Sequence, residues 1–448
     1  MSKDGQVQTR RLALQGALAA TGALGAACGV GGAGQEAPAA SKAPVMIEEW
    51  DWHATAQAAQ YQPMVDAFQK FAPNVTLNWV GVGSADILNK VTVAVAGGTP
   101  PDIAYLDNQH QGFYGKQKLL VDQAPLAKKE KNFHTEVIDQ RALGLYTYAG
   151  TQLGYPWLIT TAQTFFNRNL FKAVGHPAPD ELMKQGKWTW DAMVQAALAT
   201  NKRNPDGTIQ VLGVAQQSVW RLALQSNGSD YFDDPKVPKK SRLDEPAAIE
   251  AIQFITDLAQ KHQVGWREPE ATQLGGNDNN AFNANKVAML VRHGVPGAYP
   301  EVMSAVSAVP FPKGPDAKGR FITDLTTEAA GMMKGAKKQD AAWQFCRWYH
   351  QDWQRQILIN AMPRDARVPS RSDLADVSKK ALSTWADQWF EFPTYGVLSR
   401  PVNPDWAKMS TDFLNPGLNP VFAGQRPARD GATTVAKQLN DFLAANPQ

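Results

Sequence analysis

Residues 45–107 alternate strand and helix patterns in the order β-α-β-α-β, and that order dictates a parallel sheet with crossover helices. Val45 to Trp52 (VMIEEWDW) reads as a strand whose end presents Trp50, Asp51 and Trp52. Tyr61, Met64, Val65, Phe68 and Phe71 then recur at helical spacing up to Pro73. Val75 to Val82 alternates as a second strand, Asp86 to Ala96 is a largely apolar helical stretch stopped by GGTPP, and Asp102 to Asp107 is a third strand. Strands joined through helices run parallel, because antiparallel neighbours need only a tight turn. Ligands of such open sheets sit beyond the carboxyl ends of the strands. That geometry makes Trp52, Asp107 and Asn108 candidate site residues.

A chain of 448 residues exceeds one ordinary hydrophobic core, so two large lobes are expected. Hydrophobic content of 44% with 19% charged residues describes a globular protein. The formal net charge of +3 falls to +1 once Lys3, Arg10, Arg11 and Asp4 of the leader are set aside. So balanced a charge argues against a nucleic-acid partner. Fourteen Trp supply aromatic faces for packing and for gripping the apolar faces of sugars.

The leader is legible. Arg10-Arg11 precedes an uncharged run from Leu12 to Ala27, too short for a spanning helix and ending in small residues, as a cleavable signal does. TRRLAL resembles a twin-arginine export signal, and LGAAC, ending at Cys28, resembles a lipobox. Residues 1–27 are thus expected to be a signal peptide, Cys28 a lipidation site, and residues 28–43, rich in Gly, Ala and Pro, a flexible tether. With Cys28 lipidated, Cys346 has no intrachain disulfide partner and reads as a small core residue.

Gly154 to Pro177 opens with Tyr155-Pro156-Trp157, continues as an apolar, β-branched strand from Leu158 to Phe166, and turns at Asn167 into a short helix stopped by Gly175. Such a segment suits a passage from one lobe to another with Trp157 at the crossing; a core Trp is the alternative. Further on, Thr189 precedes a helix to about Ala199, Val211 to Val214 is a strand, Trp220 starts a helix to Ser226, and Pro246 to His262 is an amphipathic helix. Val287 to Val291 is a strand followed by Arg292, His293 and Gly294. Val306 to Pro310 is another, and Ile322 to Glu328 leads towards GMMK. Asp340 to Asn360 reads as one long helix, and residues 401–427 as a Pro-rich break in a helical C-terminal region.

Catalysis has no positive signal. The seven His lack metal-binding spacing, and neither a nucleophile elbow nor a phosphate loop is present, so no cofactor or metal is expected. The acid pairs Glu48-Glu49 and Asp233-Asp234 are adjacent, and neighbours on a strand point to opposite faces. What remains is an aromatic and polar set: Trp50, Trp52, Trp157 and Trp220 with Asp107, Asn108, His293, Glu328 and Arg364. A pyranose needs that mixture, an apolar face to stack on and hydroxyls for polar groups.

Several segments in order resemble the family 1 extracellular solute-binding proteins of bacterial ABC importers, which include maltose-binding protein: GGTPPDIAYLDNQ, LGYPW, TFFNRNLFKAVGHPAP, KWTWDAMVQAA, AFNANKVAMLV and AAGMMKGAKKQDAAWQFCRWYHQDWQRQ. The resemblance implies an α/β fold of two lobes, the type II periplasmic-binding-protein fold, each lobe a mainly parallel sheet flanked by helices. It implies one lobe from 44–157 and 326–362, the other from 158–325 and 363–448. It further implies ligand in the cleft between them, a membrane permease as partner, and site residues Asp51, Trp52, Asp107, Asn108 and Trp157. The expectation is a monomeric, membrane-anchored sugar-binding lipoprotein with no enzymatic activity. Alternatives are an anionic solute such as a uronate or phosphorylated polyol read by Arg292, His293, Arg364 and Arg367, an exported carbohydrate-active enzyme, and an adhesive surface lipoprotein.

Overall fold

Three parallel strands open the structured chain: β1 (Val45–Asp51), β2 (Val75–Gly81) and β3 (Ile103–Leu106), with β1 in the middle. The crossover helices are α1 (Ala58–Phe71) and α2 (Ile87–Ala96), as the spacing predicts. This computed structural model describes residues 43–447 apart from residues 52, 54, 84–85, 108–109, 217–219, 295–297, 360–367, 383–384 and 399. The expected leader and tether up to residue 42, including Cys28, lie outside the described residues, as do Trp52, Asn108, Arg364 and Arg367.

A second parallel pair, Ile209–Ala215 with Val287–His293, forms further along. Two long strands join the sets: a first crossing strand, Pro156–Asn167, and a second, Thr323–Met332. They run antiparallel to each other between Asp324↔Ala162 and Ala329↔Pro156, with a bulge at Glu328/Ala329. Beyond that overlap the second pairs with β3 through Ala329 to Met332. The first pairs with Val287–His293 through Ala162 to Phe166. One eleven-stranded sheet results among the described residues, in two parallel sets stitched by two shared strands. The fold is the two-lobed, type II α/β architecture, with antiparallel crossing strands added to each parallel set.

The packing follows from the patterns. Ile47, Phe68, Phe345 and Trp348 are fully buried between β1, α1 and the helix Gln339–Trp348. Each such side chain contributes about 2 kcal/mol. On the second set, the helix Pro246–Gln260 buries Ala248, Ile252, Ile255 and Leu258 at helical spacing. The helix Trp190–Thr200, capped by Thr189, lies so close to Ile209–Ala215 that a Cβ on Gly213 would meet the Ala197 carbonyl oxygen at 2.4 Å. Gly175 ends the helix Arg168–Val174 at φ 66°, a left-handed turn that glycine adopts without strain. Cys346 is buried, as expected.

Three expectations are corrected. The long helix from Asp340 to Asn360 is broken by one π-helical turn, Tyr349–Trp353, between Gln339–Trp348 and Gln354–Ile359. Such turns carry an extra residue per turn and re-aim side chains, which periodicity alone does not reveal. Arg292 and His293 do not follow their strand but extend it, because His293 pairs with Ala162. Residues 401–427 are not a break: Trp406–Met409, a π turn and Asn415–Phe422 are helical there, with Pro416 at the start of the last segment and Pro420 inside it. Between Asp107 and Gly154, where no element is predicted from sequence, lie the helices α3 (Gln111–Lys116), Ala124–Ala127 and Gln140–Leu145.

Candidate functional site

Asp51, at the carboxyl end of β1, is fully buried and hydrogen-bonded. Trp79 donates from Nε1 to its Oδ2 at 3.0 Å, and the His53 backbone N–H donates to its Oδ1 at 2.8 Å. The His53 ring lies 2.6 Å from the same oxygen through Nδ1, which is also 2.6 Å from the Tyr61 hydroxyl. Tyr61 stacks on Trp79, centroids 4.6 Å apart and planes at 11°. Asp51 therefore holds an aromatic wall in position.

The wall continues across the sheet. Tyr105 of β3 donates from its hydroxyl to Glu328 Oε2 on the second crossing strand. Tyr349, delivered by the π turn, packs 6.3 Å from Tyr105 and 5.2 Å from Trp157. Burial, and then the Glu328 carboxylate, push both phenols well above their usual range, so they stay protonated donors. Trp157 is half-buried, and its indole N–H has no hydrogen-bond partner among the described residues. Thus Asp51, Trp157 and Glu328, far apart in sequence, belong to one network.

Asp107, just past β3, is buried and accepts the His110 backbone N–H at 3.1 Å, with the His110 ring 2.8 Å away. Because Leu106 pairs with Ala329, Asp107 lies level with Glu328. Between them stands Tyr146, whose hydroxyl donates to the Thr327 carbonyl and whose phenol is pushed up by burial, Asp107 and Glu328.

A second, charged wall is built on the other half of the crossing strands. Asp324 is fully buried and accepts the Ala162 backbone N–H at 2.7 Å and the Arg221 guanidinium, with His293 Nε2 in ionic contact 2.8 Å from its Oδ1. Burial alone would raise the Asp324 carboxyl, but His293 and Arg221 outweigh it and hold the group well below the usual carboxylate range. Asp324, Thr326 and Glu328 alternate onto one face of their strand. Thr160, paired with Thr326, shares that face, and its buried hydroxyl has no partner among the described residues. This face links the aromatic wall to the charged one.

Trp220 packs edge-on to Tyr231 at 5.4 Å and against Phe422 at 5.7 Å, on the core of the second set and one residue before Arg221. Arg292 is occupied by Asp278 at 2.6 Å. Sequence reasoning missed His53, Tyr61, Trp79, Tyr105, Tyr349, Arg221, Asp324 and Arg400. A signal existed for Asp324, a lone acid inside a β-branched run. Among the described residues no cluster of His, Cys, Asp and Glu is suited to a metal ion, and no helix is long and apolar enough to cross a membrane.

A family described as bacterial extracellular solute-binding protein matches residues 52–351, two thirds of the chain. In solved structures the chain is similar to an ABC substrate-binding protein from Listeria monocytogenes in complex with cycloalternan. That similarity covers 90% of this chain and 99% of that one, with TM-score 0.75 and 21% identity. A maltose-bound protein of T. maritima is similar over 89% of this chain and 100% of its own, with TM-score 0.73 and 20% identity. A relative from Brucella abortus, described only as a binding protein, is 21% identical over 317 residues, or 67% of this chain and 71% of that one.

Proposed function

The chain belongs to the bacterial extracellular solute-binding protein family, and from that premise we propose that it captures a sugar or oligosaccharide and delivers it to an ABC permease. The observation that carries the sugar reading is Trp157: a half-buried indole on a crossing strand, its N–H unpartnered, beside Tyr349 and the Tyr105–Glu328 pair. An aromatic face beside protonated phenols and a carboxylate suits the C–H face and hydroxyl rim of a pyranose. The sugars named with the Listeria and Thermotoga structures support the same reading.

In this reading one lobe is 44–157 with 326–362, the other 158–325 with 363–448, and the crossing strands act as the hinge. Closure brings contacts from both lobes onto one ligand and offsets the separation of the open form. The protein is a binder rather than an enzyme. It is exported by the leader, anchored through Cys28 as a lipoprotein and active as a monomer. Micromolar capture needs only about −8 kcal/mol net.

Titration with a panel of mono- and oligosaccharides is expected to raise the melting temperature for at least one, with compaction in solution scattering. Silence across the panel sinks the sugar reading. Trp157→Ala is expected to weaken binding tenfold or more, about 1.4 kcal/mol; unchanged affinity in a folded variant removes Trp157 from the site.

A further inference from the structure

Arg400 is the feature that a neutral ligand leaves unexplained. It follows the strand Gly396–Leu398, which runs parallel to the second crossing strand with Leu398 beside Leu325. That strand and β3 lie along the same edge of the second crossing strand, the edge away from the first crossing strand, so Arg400, two residues past Leu398, and Asp107, one residue past Leu106, both lie towards the gap between the two pairings. Arg400 therefore stands where the aromatic and charged walls meet, half-buried, and forms no ion pair or hydrogen bond among the described residues.

Its surroundings do not neutralise it. Burial is the main influence lowering its guanidinium pKa, and the like charge of Arg221 is the next; Asp107, Tyr231 and Asp324 act against them from a distance. Asp324 is committed to Arg221, His293 and the Ala162 N–H. Asp107 is turned to His110 through the hydrogen bond and ring contact already described. Arg221 itself, buried, has an Nε with no partner among the described residues. A half-buried guanidinium without an ion-pair partner is costly, and the like charge of Arg221 adds to that cost. An anionic group of the ligand removes that cost, and guanidinium forks match the geometry of carboxylate and phosphate oxygens. The arginines that sequence reasoning favoured for an anion do not serve: Arg292 is tied to Asp278, and Arg364 and Arg367 lie outside the described residues.

We propose that Arg400, backed by Arg221, forms an acid-group subsite, so that the natural ligand is a sugar bearing a carboxylate or phosphate. This rests on the sugar-binding reading above and narrows it. The ring would lie along the Trp157 and Tyr349 side, with the acidic group turned to the second lobe.

The test is calorimetric titration of the purified protein with matched pairs: D-glucuronate against D-glucose, D-galacturonate against D-galactose, and the corresponding disaccharides. Glucose 6-phosphate separates phosphate from carboxylate recognition. The acidic member of at least one pair is expected to bind tenfold or more tightly than its neutral parent, and to weaken as salt is raised. Arg400→Gln should abolish the acid's advantage over its neutral parent, and Arg400→Lys should restore part of it. A purely structural role for Arg400 would move both affinities together. Neutral parents binding as tightly as acids, or an unchanged ratio in Arg400→Gln, overturn the subsite and leave the sugar reading standing. Absence of binding by every acidic and neutral sugar overturns both.

Discussion

The two walls bury titratable groups in opposite ways. On and beside the aromatic wall four buried groups are kept neutral: burial, then Asp51, raise the Glu49 carboxyl, burial and Glu328 raise the phenols of Tyr105 and Tyr349, and burial lowers His350 to about 3. On the charged wall Asp324 is kept ionised by His293 and Arg221 in spite of complete burial. A neutral wall presents stacking surface and uncharged donors at any physiological pH. An ionised wall keeps fixed charge in a place that excludes water. The contrast teaches that burial alone does not fix the charge of a group; the partners brought beside it decide.

The sharpest way to break the contrast is to remove the one buried anion of the charged wall. Asp324→Asn leaves Arg221 buried without its carboxylate and should cost about 3–5 kcal/mol in denaturant unfolding. A loss below about 1 kcal/mol would mean that the pair is dispensable and the walls are not different in kind.

Glu49 tests the neutral side. Both of its oxygens are buried without a partner among the described residues. Its folded pKa lies above 4.5, so between 4.5 and that higher value the unfolded chain has lost a proton that the native chain keeps, and stability falls as pH rises. Glu49→Gln should therefore be neutral below pH 4.5 and increasingly stabilising above it, by about 1.4 kcal/mol per pH unit until the native carboxyl itself ionises. A pH-independent effect would show that Glu49 is not held neutral.

His350 carries the opposite slope. Its Nδ1 lies 2.7 Å from the Pro156 carbonyl at the start of the first crossing strand. Burial, followed by the charge of Arg371, depresses its pKa from 6.5 to about 3. Above pH 6.5 it has no effect; below that the unfolded chain takes up a proton that the native chain refuses. Stability should fall by about 2 kcal/mol on going to pH 5, and His350→Gln should remove that part of the loss in melts recorded across pH. The smallest effect is expected for Trp79→Phe, which keeps the stack on Tyr61 and deletes the 3.0 Å donation to Asp51. It should cost about 1–2 kcal/mol, and more in ligand affinity than a surface change if Asp51 positions the wall.

Much of the fold was legible because it is written locally. β1 to β3 with their crossovers, the Asn167 and Thr189 caps, the Gly175 stop and the inward face of Pro246–Gln260 all follow from period, capping residues and turn chemistry within a dozen positions. The site was legible only in part. Trp157, Asp107 and Glu328 could be nominated by residue type; Trp157 lies near the start of its strand, Asp107 just past β3, and Glu328 inside the second crossing strand. The partners could not be nominated. Tyr105 and Glu328 are 223 positions apart, and Arg221 and Asp324 are 103 apart, so each pair exists only when the crossing strands bring two halves of the sheet together. Tyr349 is aimed by a π turn that leaves the helical pattern intact in sequence. By itself, then, the sequence determined the alternation of elements and the parallel sets they must form, since these are dictated by side-chain periodicity and chain connectivity. Only the tertiary structure decided which buried charge has a partner and which, like Arg400, has none, because electrostatic pairing depends on distances across the sheet that no local pattern encodes.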